Sequence, residues 1–414
     1  MATVNAERLL GDLYRLREFG AYKTGVHRPT FSEIDMAARR WLVERMGEAG
    51  LAAEIDGIGD IVGRTSASGP KLLIGSHAES QNHAGWLDGA LGVIYGLEVA
   101  RAVAEDPELA GCGVDAAVWA DEEGHFRSMI GSRSFIGDLD DAEIDDIRNQ
   151  YDGTPLREAL KSAGLADRPR MRVEPGRHIG FLEAHIEQGD SLEAAGLKIG
   201  VVTSIVAIWQ YRIVAEGIQN HAGTTRMAIR KDAGLALAKL AVALDATFAE
   251  IAAERSVWTV GDIRLEPGAG SIIPGRGEML FQFRDVDPGQ LERFEAALAS
   301  LVAAANEDGP CSLRLETVFK TQPRPMAERM QAALEAGAEA HAPGLHVRMP
   351  SGAGHDAQIL SEVMPAGMLF VPSIGGISHH WTENTSDEDI VLGARAMATA
   401  AAILLKQARD GDAA

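Results

Sequence analysis

The sequence predicts an α/β domain built on a largely parallel sheet and interrupted by a smaller α+β domain. Three observations carry that prediction. Short apolar runs alternate with long helical patterns up to about residue 207. Strands of alternating polarity then surround two helical stretches from 208 to 321, and from 322 to 414 the first pattern returns. The expected division is thus a larger domain in two parts, 1–207 and 322–414, with an insertion at 208–321.

The elements follow in order. MATVNAERLLGDLYRLREFG reads as an amphipathic helix with charges spread through it and lacks the unbroken apolar region of a signal peptide. Between Phe31 and Gly50 the spacing of Ile34, Ala37, Ala38, Leu42 and Met46 predicts a helix. KLLIGSH is a buried strand that delivers His77 at its carboxyl end, and DGALGVIYGLEVARAVAED is a long helix. GVDAAVW is a second buried strand, with Asp121, Glu122 and Glu123 just past it. In the insertion, WQYRIVAEG and MLFQFRDV read as strands, and DAGLALAKLAVALDATFAEIAA and QLERFEAALASLVAAANE as helices. The chain returns through SGAGHDAQIL, a helix start, and GMLFVPSIGGISHHWTENT, a buried strand with a polar loop. KQARDGDAA reads as a frayed end.

Composition narrows the function. With 414 residues, 46% of them hydrophobic, the chain can bury a core large enough for a precise site. A formal charge of −21 without any Lys/Arg-rich stripe argues against nucleic acid as a partner. No apolar run reaches the roughly 18 residues of a membrane span, so the expected setting is cytoplasmic with no membrane partner. Cys112 and Cys311 read as free thiols of a reducing compartment. An acidic enzyme with a small anionic substrate needs a local positive patch, which metal ions or a few arginines supply.

Five places put His, Asp or Glu at strand ends or in Gly-rich turns: His77 in GSHAES, Asp88 in GWLDGALG, Asp121-Glu122-Glu123 in WADEEGH, His185 in EAHIEQG and His379 in GISHHWTEN. Each alone has a plain structural reading, as a hydrogen-bonded histidine, a solvated turn or a tight glycine turn. Several of them on one sheet edge would make a two-metal site, and mixed His and carboxylate donors suit zinc, manganese or nickel.

The ordered series GSH, DG eleven residues after His77, EEG, HIEQG, HAGTT, GAGHDA and GISH resembles the amidase/carbamoylase branch of the M20 metallopeptidase-like family, which includes allantoate amidohydrolases and N-carbamoyl-L-amino-acid hydrolases. The resemblance runs from about Gly75 to Glu383. It implies a Zn-peptidase-like catalytic domain with a mixed, largely parallel sheet, interrupted by a lid domain that also makes a homodimer. It implies two divalent metal ions per subunit, zinc, manganese, nickel or cobalt. His77 and His185 would be terminal ligands of one, with Asp88 bridging to a second held by Glu123 and His379. Glu122 matches the general base, which serves a metal-bound hydroxide attacking the carbonyl carbon. His221 in HAGTTRM would stabilise the oxyanion, from the partner subunit in related dimers, and Arg284 in QFRDVD would bind a substrate carboxylate. Their plain readings are a structural lid histidine and an edge-strand charge. Gln188, His355 and Ser271 would line the substrate pocket, while Gln188, His355 and Asp356 fit a loop-orienting role equally well. Only the family pattern selects His379 over His380.

The implied reaction is hydrolysis of a non-peptide C–N bond, N-carbamoyl, ureido or amide, in a small carboxylate-bearing substrate. Alternatives are a hydrolase of amide conjugates, a deaminase of an amino-aromatic acid, for which the extra His83 leaves room, and a non-catalytic ligand-binding dimer. Three positions depart from the family pattern. Glu79 stands in the His-x-Asp motif, Ser271 replaces an Asn, and Arg226 replaces the proline of HAGTTPM. Ser271 and Arg226 stand where substrate is recognised, which points away from allantoate itself and a standard N-carbamoyl amino acid.

Overall fold

The computed structural model describes residues 2–411, which fall into two compact units, 2–203 with 325–411, and 204–324.

In the first unit the apolar runs become neighbouring strands. Ala366–Val371, Phe181–Ile186, Lys71–His77 and Gly113–Trp119 lie side by side and parallel. Ile199–Ile205 and Ile61–Gly63 pair antiparallel at either side of this group. Strands buried along almost their whole length need cover on both faces, which is why these segments carry unbroken apolar sequence. The helix Ala90–Glu105 follows the first long strand and rests on it and on Gly113–Trp119. A Cβ on Gly96 would lie 2.5 Å from the carbonyl oxygen of Ile74, so glycine is what permits the helix to sit this close. The parallel order directs His77, the 121–123 turn, His185 and the 372–386 loop to one edge of the sheet, where open α/β folds collect their ligands.

Two expectations are corrected here. The helix expected between Phe31 and Gly50 runs Glu33–Glu48, but Ile34 is exposed while Asp35 and Arg39 are wholly buried. The buried face is rotated toward that charged pair, because Arg39 bonds Asp35 and reaches into the sheet edge. The expected fraying at KQARDGDAA also fails over its first half. A helix runs Asp387–Asp410 and ends on Gly411 in the left-handed region, and Lys406 and Arg409 anchor it to Glu108. The last three residues of that segment, 412–414, lie outside the described residues.

The second unit is an antiparallel sheet in the order Val257–Glu266, Arg276–Asp285, Ala207–Glu216, Ser312–Lys320, with the helices Ala233–Ile251 and Pro288–Asp308 packed on it. Arg276–Asp285 alternates buried and half-buried along its whole length, the period-2 signature of a sheet with a single apolar face. Phe248 and Phe294, one from each helix, stack at 4.3 Å over Phe281 and Phe283. Phe248→Ala is expected to cost about 3–5 kcal/mol, the usual range for emptying a fully buried aromatic site. Urea unfolding measures this, and a loss under about 1 kcal/mol would remove Phe248 from the centre of that core.

Both cysteines are buried free thiols, Cys112 in the first unit and Cys311 in the second. Among the described residues, no helix is long and apolar enough to cross a membrane.

Candidate active site

His77 ends its strand with Nδ1 at 3.2 Å from the Glu79 carbonyl oxygen, which leaves Nε2 at 3.5 Å from Asp88 Oδ1. His185 repeats the arrangement, with Nδ1 2.8 Å from the Ile186 carbonyl oxygen and Nε2 3.0 Å from the same Asp88 oxygen. The other Asp88 oxygen, Oδ2, lies 3.3 Å from His379 Nε2, and that nitrogen is 3.7 Å from Glu123 Oε2. Two trios result, His77-Asp88-His185 and Asp88-Glu123-His379, each with its donor atoms within 4.8 Å of one another. His380 stands apart, its Nδ1 bonded to Thr382 and its ring against Trp381.

The donor chemistry fits a cation in each trio. When Nδ1–H of His77 and of His185 is given to a backbone carbonyl, Nε2 presents a lone pair. A lone pair 3.0–3.5 Å from a carboxylate oxygen is repulsive unless a metal cation or a proton lies between. The same demand appears in the proton affinities. Burial opposes charge on His77, yet Asp88, Glu122 and Glu79 lift its pKa well above the ordinary value. Hydrogen bonding to Asp88 brings His379 up to about 9. Burial would raise Asp88, but the three histidines hold it well below the usual carboxylate range.

The loops are held from behind. Glu383 Oε1 accepts from the backbone N–H of Leu87 and Asp88 at 3.2 and 3.1 Å, and its Oε2 accepts from Ser378 at 2.9 Å. Burial and the nearby Asp88 push Glu383 up to about 7. Gly89 has φ 68°, and a Cβ there would lie 2.3 Å from the His77 ring, so the residue after Asp88 has to be glycine. Gln81 donates to Glu123 Oε2 at 2.9 Å. Gln188, at φ 59°, donates to Asp88 Oδ2 at 3.0 Å and keeps a buried Oε1 without a partner.

Glu122 belongs to neither trio, and its Oε2 is 3.6 Å from His77 Nε2. Burial raises its pKa well above the carboxylate range against the pull of His77. His355 is buried against His185, with ring centroids 4.6 Å apart and Nε2 2.9 Å from Ser351 Oγ, and burial keeps it neutral. Asp356 is fully buried at the start of the short helix Asp356–Leu360.

The structure therefore brings His77, Asp88, Glu122, Glu123, His185, Gln188, His355 and His379 together in the first unit. His221, Ser271 and Arg284 belong to the second. There the two-residue strand Asn220–His221 pairs with Ile272–Ile273, and Ala222 donates to the carbonyl of Ser271, so these two motifs adjoin. His221 Nδ1 accepts from the backbone N–H of Gly223 and Thr224 at 3.0 and 3.2 Å, which assigns the ring proton to an exposed Nε2. Arg284 is half-buried beside Gln282, and burial lowers its pKa. Sequence reasoning passed over Gln81 and Glu383. The signal for Glu383 was its place in the same loop, four residues after His379.

Residues 74–402 match the profile of peptidase family M20/M25/M40. An N-carbamoyl-L-amino-acid amidohydrolase of Paenarthrobacter aurescens is 33% identical over 94% of this chain and 95% of its own length. An allantoate amidohydrolase of Bacillus subtilis is 31% identical over 92% of this chain and 93% of its own. The crystal structure of an amidase of the hydantoinase/carbamoylase family from Burkholderia phymatum shares 46% identity and a TM-score of 0.89, covering 98% of this chain and 99% of that one. On the match of its profile and of these full-length relatives, the chain belongs to peptidase family M20/M25/M40.

Proposed function

We infer that this protein is a metal-dependent amidohydrolase that cleaves a non-peptide C–N bond, N-carbamoyl, ureido or amide, in a small carboxylate-bearing substrate. The observation that carries this reading is the pair of donor trios sharing Asp88, with the unligated carboxylate of Glu122 beside them. Relatives that act on N-carbamoyl-L-amino acids and on allantoate support the bond class.

Two divalent cations, one in each trio, would polarise the substrate carbonyl and make water acidic enough to attack it. Glu122 takes the proton of the attacking water and passes it to the departing nitrogen. Gln188 fixes the Asp88 carboxylate and lines the substrate pocket. His221 is the oxyanion donor, a role suited to its exposed Nε2–H, and Arg284 pairs with the substrate carboxylate. Ser271 and His355 contribute to substrate recognition.

The test is ammonia and product analysis with purified metal-loaded protein on a panel of ureido acids, N-carbamoyl-L-amino acids, amide conjugates and amino-aromatic acids. Ureido and N-carbamoyl substrates release ammonia and carbon dioxide, whereas amide conjugates release a free acid. Turnover of the amino-aromatic members alone, or of no member, would overturn this reading, and turnover of the amide conjugates alone would narrow it to that bond.

The same reading makes the second unit a lid and a dimer contact. Val257–Glu266 is an edge strand that pairs only with Arg276–Asp285 among the described residues and exposes Val257, Val260, Ile263 and Leu265. An open apolar edge of this kind invites a second copy to continue the sheet. Light scattering is expected to give a dimer for the wild type and a monomer for Ile263→Lys, and a monomeric wild type would end this part of the proposal.

A further inference from the structure

In the His-x-Asp motif that the resemblance implies, the acid orients the histidine, and Glu79 holds that place here. Here the geometry divides the work differently. The ring nitrogen His77 Nδ1 is 3.2 Å from the backbone carbonyl oxygen of Glu79 and 3.7 Å from the carboxylate oxygen Oε1, so the main chain serves the imidazole and the carboxylate is left for other contacts. Glu79 Oε1 accepts the backbone N–H of Glu122 at 2.8 Å. Its Oε2 accepts from Arg39 Nη2 at 2.7 Å. Both side chains are wholly buried.

Arg39 joins this carboxylate to the strand that carries the Glu122 turn. Its guanidinium donates to the carbonyls of Gly59 at 2.8 Å and Trp119 at 3.2 Å, and to Asp35 at 3.1 Å. Asp35 in turn accepts the backbone N–H of Phe31 at 2.9 Å, which seats it at the start of its helix. The loop behind His77 is secured separately by the buried Arg28, which donates to the Ala78 carbonyl and to Leu16 and Phe19. The two arginines therefore have different duties. Arg28 fixes the loop after His77, and Arg39 fixes the Glu79 carboxylate against the Glu122 turn. Asp121 sits in the left-handed region at φ 58°, where its carboxylate accepts the backbone N–H groups of His125, Phe126 and Arg127, and Glu79 is the group that bonds the backbone N–H of the next residue, Glu122.

We propose that Glu79, held by Arg39, is a positioning residue for Glu122: its main function is to fix the backbone of the base-bearing turn, and its charge near His77 has only a minor influence on metal affinity. This rests on the reading of Glu122 as the proton-transfer group. A buried carboxylate that accepts one backbone N–H and one guanidinium N–H ties the turn to the strand behind it, and a misplacement of about 1 Å at a reacting group can cost on the order of 10²-fold in rate.

The experiment compares Glu79→Gln and Glu79→Asp with the wild type, and repeats Glu79→Gln in a Glu122→Gln background. Glu79→Asp retains a countercharge for Arg39, which keeps the test open if Glu79→Gln folds poorly. Manganese affinity is measured by titration, and kcat and KM on the panel substrate with the highest kcat/KM. The expected result is a kcat at least tenfold lower for Glu79→Gln and at least fivefold lower for Glu79→Asp, with KM and manganese affinity within twofold of wild type. In the Glu122→Gln background, Glu79→Gln is expected to cause no further loss. A tenfold fall in manganese affinity would overturn the proposal and return Glu79 to the service of His77. A kcat within twofold of wild type for both single variants would also overturn it. If Glu122→Gln is itself fully active, the base assignment fails separately, and a Glu79→Gln loss in that background then shows that Glu79 acts through some other group.

Discussion

Glu122→Gln is expected to lower kcat by about 10²–10⁴-fold, or ~3–5 kcal/mol of transition-state stabilisation, while leaving metal content unchanged. Gln has nearly the size and shape of Glu and keeps the backbone N–H that Glu79 accepts, so the turn is preserved. What it lacks is a site for the proton of the attacking water. Because Glu122 belongs to neither trio, both sets of donor atoms survive the change. KM should stay close to the wild-type value, since the lost interaction exists only in the transition state and kcat and kcat/KM fall together. Steady-state kinetics with metal analysis of the same samples checks this. A metal-loaded variant with wild-type kcat would remove Glu122 from proton transfer, and a variant that loses metal would make it a ligand.

The candidate site was legible in the sequence to the extent that chemistry follows directly on unbroken apolar runs. KLLIGSH ends in His77 and GVDAAVW leads into Asp121-Glu122-Glu123, and strands buried on both faces present such residues only at their ends. The partition of Asp88 between two trios was not readable from residues alone, since it depends on where two oxygens of one side chain point. The preference for His379 over His380 came from family likeness and has a geometric counterpart in the 3.3 Å approach of His379 to Asp88. What sequence could not show was the support behind the site. Asp35 and Arg39 look like the solvated face of an amphipathic helix, and only tertiary burial reveals them as an ion pair reaching Glu79. The final helix was missed for a related reason. AMATAAAILL is buried on nearly every side, so it lacks the polar stripe by which a surface helix is recognised, and its charged last turn reads as a tail although Glu108 holds it.

Asp88→Ala is expected to abolish activity and to remove both metal equivalents, a larger effect than the loss of any single histidine. The reason is the sharing of one carboxylate: Oδ1 faces His77 and His185 while Oδ2 faces His379, so among the described residues no other serves both trios. His379→Ala leaves His77, Asp88 and His185 intact and should retain one equivalent. Stability gives a second reading of the same difference. A ligand present at a hundredfold over its Kd stabilises the folded state by about 2.7 kcal/mol, so chelation should lower the Tm of the wild type and added divalent metal should restore it. Asp88→Ala should show no metal-dependent gain. In the absence of metal the three histidines and the ionised Asp88 stabilise one another, so the metal-free variant is expected to be less stable than the metal-free wild type. Two equivalents of metal on purified Asp88→Ala would mean that the carboxylate is not shared, and the two trios would then have to be assigned to separate and independent ligands.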